Sequence, residues 1–192
     1  INKTDKKQFF TNPGAVKDLL KVDESKYYVT GTGFFTEFNL TNNLSWNENN
    51  FIDGIRGKSI AQNNTKTHTY IATNNGLFCY SEEKNWEIKY QNRSLFLKNL
   101  IAYKNGILAL SNQGNVYFIH HNQVKQIALK KQFNHLKKID TTVYLIEANK
   151  VFLFENETLK PEFSLGNQIK IINLEKQNQY FYALTEDKVI RI

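Results

Sequence analysis

Histidine, cysteine and paired carboxylates are the side chains with which this 192-residue chain would do chemistry, and their placement points away from catalysis. His120 and His121 are adjacent, and on a strand neighbouring side chains leave on opposite faces, so the two imidazoles are not expected to share one metal ion. His68 stands at the approach to a hairpin and His135 in a connection between repeats, where a packed or solvated imidazole is the ordinary role. Cys79, the only cysteine, sits between Phe78 and Tyr80 on an apolar stretch and suits a buried thiol acting as a small hydrophobe. A single thiol also excludes an intramolecular disulfide framework and a cysteine cluster for zinc or iron–sulfur. Gly31-Thr32-Gly33 lacks the third glycine and the following helix of a dinucleotide loop, and reads as a turn. Glycoside hydrolysis would need two carboxylates facing one cavity. The acids on the inner strands assigned below are Asp18, early in its strand, and Asp140 and Glu175, late in theirs, so they divide between two ends of a channel. No catalytic residue, metal or cofactor is expected.

The elements that must position these residues form a repeat. Tyr70 to Tyr80 reads as an apolar strand, an Asn74-Asn75-Gly76 turn that tolerates positive φ, and a second aromatic strand. Related pairs run from Tyr27 to Asn39, Ile107 to His120, Val143 to Glu155 and Tyr180 to Ile192. The first large apolar residues after the turns, Phe34, Leu77, Val116, Val151 and Val189, are spaced 43, 39, 35 and 38 apart, the period of a β-propeller blade. A blade needs four strands. A first strand precedes each hairpin at 16–22, 58–62, 97–102, 136–140 and 169–174, and a fourth follows at 44–52, 85–90, 123–129 and 158–165. The fold expected is therefore all-β, a β-propeller of about five four-stranded blades over 13–52, 53–92, 93–131, 132–166 and 167–192. Residues 7–11 have the form of a fourth strand, so the ring either closes by lending them to the last blade or is an arc of a larger propeller. A β-sandwich also has short strands, but it does not predict a matching turn about every fortieth residue.

The alignment of repeats generates a site. Matching the first strands on Leu20, Ile60, Leu100, Ile139 and Ile172 places Asp18, Lys58, Lys98, Lys137 and Lys170 two residues earlier in every blade. Residues early in an innermost strand surround one mouth of the channel, beside the turn residues Asn74, Asn75, Asn112, Gln113 and Asn149. Lysines would supply charge and amides directed hydrogen bonds to an anion or an acidic glycan.

The segment Tyr70 to Tyr80 resembles the two-component regulator propeller repeat, whose hairpin reads Trp-Ile-Gly-Thr, a short turn, Gly-Leu and an aromatic pair. Ile71, Thr73, Gly76, Leu77 and Tyr80 agree, with Tyr70 at the Trp position and Ala72 at the Gly position. Val29 to Phe35 keeps the Gly-Thr-Gly element, Leu110 to Gly114 is a weaker echo, and the last two copies lack glycine. The resemblance implies a binding or sensing propeller from the extracytoplasmic region of a two-component regulator, in the periplasm or outside the cell, with further domains of the parent protein as partners; the alternative expectation is a free-standing five-bladed lectin-like or protein-interaction scaffold closed by residues 7–11.

Bulk properties are compatible with this. Twenty-five Lys and Arg against 18 Asp and Glu give +7, which favours acidic partners without choosing among them. Nucleic acid is disfavoured: Lys130, Lys131, Lys137 and Lys138 lie near Phe133, but the aromatics are spread through the repeats as core rather than arrayed as stacking platforms. No apolar run approaches the roughly 20 residues of a spanning helix. The chain opens with Ile1 and contains no Met, which reads as an excised or processed piece.

Overall fold

Aromatic and β-branched residues fill short runs bounded by Asn, Gly and Asp, and those runs become strands. The computed structural model describes residues 14–39, 52, 54–81, 84–127, 129 and 131–192. Blade 1 contains β1 (Val16–Lys21), β2 (Lys26–Gly31) and β3 (Phe35–Asn39). Blade 2 contains β4 (Gly57–Gln62), β5 (Thr69–Thr73), β6 (Leu77–Ser81), β7 (Lys84–Tyr90) and the short β8 (Arg93–Ser94). Blade 3 is β9 (Leu97–Tyr103), β10 (Gly106–Ser111), β11 (Val116–His120) and β12 (Gln123–Ile127). Blade 4 is β13 (His135–Ile139), β14 (Thr142–Glu147), β15 (Lys150–Glu155) and β16 (Thr158–Ser164). Blade 5 contains β17 (Asn173–Gln177), β18 (Tyr180–Leu184) and β19 (Val189–Arg191). Every pairing is antiparallel between sequence neighbours, which is the meander of a propeller blade. The strand expected at 7–11, with the closure it would provide, and all of the strand expected at 44–52 except Ile52 lie outside the described residues.

Inner strands adjoin in order, β1 against β4, β4 against β9, β9 against β13 and β13 against β17, with no comparable contact between β17 and β1 among the described residues. Between consecutive blades lie four apolar clusters. Tyr28, Phe35, Ile60 and Ile71 join blades 1 and 2; Tyr70, Leu77, Leu100 and Ile107 join 2 and 3. Leu108, Phe133, Leu136 and Phe152 join 3 and 4; Tyr144, Ile146, Leu174 and Phe181 join 4 and 5. Each interface also holds an aromatic pair at 5.4–5.9 Å between ring centroids: Tyr28 with Tyr80, Tyr90 with Tyr117, Tyr103 with Phe154, and Tyr144 with Phe181.

Register now defines equivalent positions. Leu19, Ile60, Leu100, Leu136 and Leu174 pair with Val29, Ile71, Ala109, Leu145 and Ala183, each of which stands two residues before the residue that opens the turn. The alignment expected from sequence holds in blades 2 and 3. It slips by one residue in blade 1, by three in blade 4 and by two in blade 5, where β17 begins at Asn173 rather than at 169. The cause is that a blade is covered on both faces, so apolar residues occur at both parities. Leu19 and Leu20 are adjacent, and Leu136 and Ile139 belong to different inter-blade clusters.

At the corrected position Ile60, Leu100, Leu136 and Leu174 are at most 5% exposed, whereas Leu19 is 53% exposed. On the opposite face Ile146 and Val151 of blade 4 are buried at 0% and 1%, while their equivalents Leu184 and Val189 in blade 5 are 41% and 61% exposed. Equal residue types at equal register positions therefore differ in burial only by whether a neighbouring blade covers them. Leu136→Ala should cost about 2–5 kcal/mol in a urea melt, and Leu19→Ala within about 0.5 kcal/mol. Comparable losses would contradict the register.

Candidate functional site

The position following the lysine row on the inner strands is polar in all five blades: Asp18, Ser59, Asn99, His135 and Asn173. It lies on the parity opposite to the buried leucine row, so these side chains leave towards the next blade. In the first blades they work as ties. Asp18 Oδ2 accepts hydrogen bonds from the Ser59 hydroxyl (3.1 Å) and the Ile60 N–H (2.8 Å), and Ser59 Oγ accepts one from the Leu100 N–H (3.1 Å). Asp18 thus belongs to the scaffold between blades 1 and 2, not to the row of lysines where the sequence alignment had put it; Lys17 stands in that row instead.

Further round the axis the same position opens into a cleft. A cavity of about 380 Å³ is lined by Lys98, Asn99, Asn134, His135, Leu136, Lys137, Ile146 and Asn173, contributed by blades 3, 4 and 5. Lys170, which precedes β17, lines a neighbouring cavity of about 380 Å³ with Thr185 and Asp187. The two cavities are electrostatically joined. Burial, and then the positive charge of Lys170, lowers the pKa of the Lys98 ammonium; burial, followed by Lys98 and Lys170, lowers that of the His135 imidazole. None of these three side chains has a hydrogen-bond or ion-pair partner among the described residues. Asn134 Oδ1 accepts the Ala148 N–H (2.7 Å), which leaves its amide N–H groups to the cleft.

The four lysines proposed from sequence separate in role. Lys98 and Lys170 interact with each other. Lys137 lines the cleft but is paired with Glu175 (2.5 Å) and reaches Asn173 Oδ1 (3.3 Å). Lys58 sits where register shifts between Gly57 and Ser59 and does not line the cleft. Of the turn residues, Asn74 and Asn149 commit their side-chain amides to backbone, whereas Asn75 and Asn112 bond through their main-chain N–H groups. Asn74 Oδ1 accepts the Arg56 N–H (2.8 Å), the Asn75 N–H donates to Thr73 Oγ1 (3.0 Å), and Asn149 Nδ2 donates to the Leu165 carbonyl (2.6 Å). The Asn112 N–H donates to the Phe96 carbonyl (3.4 Å), and Gln113 is exposed in its turn. None of these five turn residues lines the cleft. His135 is the residue that sequence reasoning missed, because it stands at the start of β13 rather than in a connection.

The acids considered for hydrolysis do not face one another. Asp18 binds blade 2, Glu175 is paired with Lys137, and Asp140 is exposed in a turn at φ 54°. Adjacent histidines behave differently from the strand expectation, because His121 leaves β11 in a turn at φ 52°. Its ring lies 4.2 Å from that of His120 and 4.8 Å from that of His68, centroid to centroid. No group of His, Cys, Asp and Glu among the described residues is arranged to hold a metal ion.

No family model matches this chain, and no curated protein does. Solved structures do. The extracellular domain of the hybrid two-component system BT4673 from B. thetaiotaomicron superimposes with a TM-score of 0.73 at 16% identity, covering 96% of this chain and 27% of that one. YCF48 bound to D1 peptide gives 0.68 at 10% identity, over 93% of this chain and 65% of that one. The chain thus spans less than two thirds of either. A catalytically inactive H270A virginiamycin B lyase from Staphylococcus aureus, with quinupristin, gives 0.68 at 11% identity over 95% of this chain and 67% of that one. At such identities the likeness is one of fold, and the fold is a β-propeller. No helix among the described residues is long and apolar enough to cross a membrane.

Cys79 is buried, and burial pushes its pKa up to about 12. In native protein at neutral pH it should resist iodoacetamide and react only after unfolding; rapid native alkylation, read by mass spectrometry, would show a more accessible thiol.

Proposed function

We propose that this chain is a non-catalytic binding propeller that serves in the extracytoplasmic part of a sensor, with the cleft across blades 3, 4 and 5 as its ligand site. One observation carries the reading: Lys98, His135, Asn99 and Asn134 converge on a cavity from the inner strands of successive blades and their approaches, with donor groups that the fold does not use. A volume of about 380 Å³ is at the lower end of the roughly 300–1,000 Å³ of small-ligand sites. The likeness to the BT4673 extracellular domain supports the sensor context, and the Tyr70 to Tyr80 hairpin supports it independently. No carboxylate lines the cleft, and Glu175 beside it is paired with Lys137, which supports recognition over hydrolysis by paired acids.

Titration of isotopically labelled protein with a panel of charged and neutral oligosaccharides tests the site. Amide shifts should cluster at residues 98–99 and 134–137; shifts confined to other blades would place the ligand elsewhere. The sensor context is tested by the coding sequence of the parent protein, which should carry a secretion leader upstream and a membrane-spanning helix downstream. A cytosolic reading frame would remove it.

A further inference from the structure

We infer that the cleft is an oxyanion site, in which Lys98 and His135 receive a carboxylate or sulfate group, the amides of Asn99 and Asn134 direct it, and Lys170 at the neighbouring cavity adds positive field. The inference rests on reading the cleft as a ligand site and adds the chemistry of the ligand. Lys98 from β9 and the protonatable His135 from β13 line it, and Lys170, from the connection into β17, stands at the neighbouring cavity close enough for its charge to act on both. Some lysines on this basic chain are matched with acids, as Lys125 is with Glu157, Lys131 with Glu147 and Lys160 with Glu155. Lys98 has no such acid among the described residues and is half-buried, where uncompensated charge is costly.

An anion would remove that cost. It would replace lysine–lysine repulsion with two attractions, and the neutral amides would fix its orientation without adding charge. The remaining charged groups around His135 are already balanced: Lys137, two residues along β13, by Glu175 of β17, and Glu147 of β14 by Lys131. His135 therefore responds to its burial first, then to Lys98 and Lys170, and to whatever occupies the cleft.

This arrangement makes binding depend on pH. With burial and two lysines holding its pKa below the ordinary 6.5, the free imidazole is neutral at pH 7. A bound oxyanion favours the imidazolium, so binding takes up a proton and tightens as pH falls from neutrality towards the acid side.

Isothermal titration of the 192-residue chain with sodium sulfate, trigalacturonate and uncharged maltotriose tests the inference. It should be run at about 10 mM and about 150 mM salt, where the screening lengths are about 30 and 8 Å. Sulfate and trigalacturonate should bind at low salt and weaken at high salt; tighter binding of trigalacturonate would identify a uronate on a glycan, and equal binding a free anion. Lys98→Gln and Lys170→Gln should each weaken binding roughly tenfold, whereas Lys125→Gln should not change it. His135→Gln should abolish the gain on acidification while leaving affinity near neutrality in place. If maltotriose binds with amide shifts at 98–99 and 134–137 while neither anion binds, the oxyanion inference falls and the cleft remains a ligand site. If none of the three ligands binds, both readings fall.

Discussion

The packing of one blade against the next is the contact on which everything else in this molecule depends. A four-stranded antiparallel sheet with apolar residues at both parities cannot be stable with either face in water, and each blade solves this by covering its neighbour. Leu136 and Phe133 of blade 4 complete a cluster begun by Leu108 and Leu110 of blade 3, and Leu174 and Phe181 of blade 5 complete one begun by Tyr144 and Ile146 of blade 4. The inner strands are thereby held side by side. Polar groups at their ends converge as a consequence, although they lie 36 to 40 residues apart in the chain, as His135 and Asn99 do.

Convergence alone does not make a site, since the same register position has two fates. In blades 1 and 2 the polar side chain is absorbed by the adjacent inner strand: Asp18 takes the Ile60 N–H and Ser59 takes the Leu100 N–H. In blades 3 and 4 the residues are Asn99 and His135, and they line an opening instead. The scaffold thus draws on carboxylate and hydroxyl oxygens where blades are tied and on amide and imidazole groups where space is left. Neighbouring lysines sharpen the difference. Glu175 satisfies Lys137, but Lys98 keeps its charge facing the cleft and Lys170 stands at the neighbouring cavity.

Much of the architecture was legible in the chain. Hairpins at 27–39, 70–80, 107–120, 143–155 and 180–192 appear with bounds within a few residues of those expected, because strand periodicity, turn chemistry and aromatic content all point the same way. Recognition of the repeat did not depend on glycine. The turns of blades 4 and 5 lack it, and Ala148 takes φ 52° in the two-residue connection between β14 and β15. The candidate site was legible only in part. Lys98 was found because blade 3 aligns correctly, and Lys170 was found through a misaligned strand.

What the sequence determined by itself is the kind of unit and its repetition: short apolar strands joined by a polar turn about every forty positions are the pattern of stacked blades. It also determined that Cys79 would be buried, because Phe78, Cys79 and Tyr80 belong to one apolar strand. Tertiary structure decided which face each apolar residue takes, and so which polar residue points along the axis. Leu19 and Leu20 are indistinguishable in sequence, yet one faces blade 2 and the other is exposed. That single-residue phase moves Asp18 from an expected binding row into a backbone tie, and the three-residue shift in blade 4 brings His135 into the cleft. A strand covered on both faces carries no hydrophobic alternation from which its phase could be read, so only the pairing of whole blades could supply it.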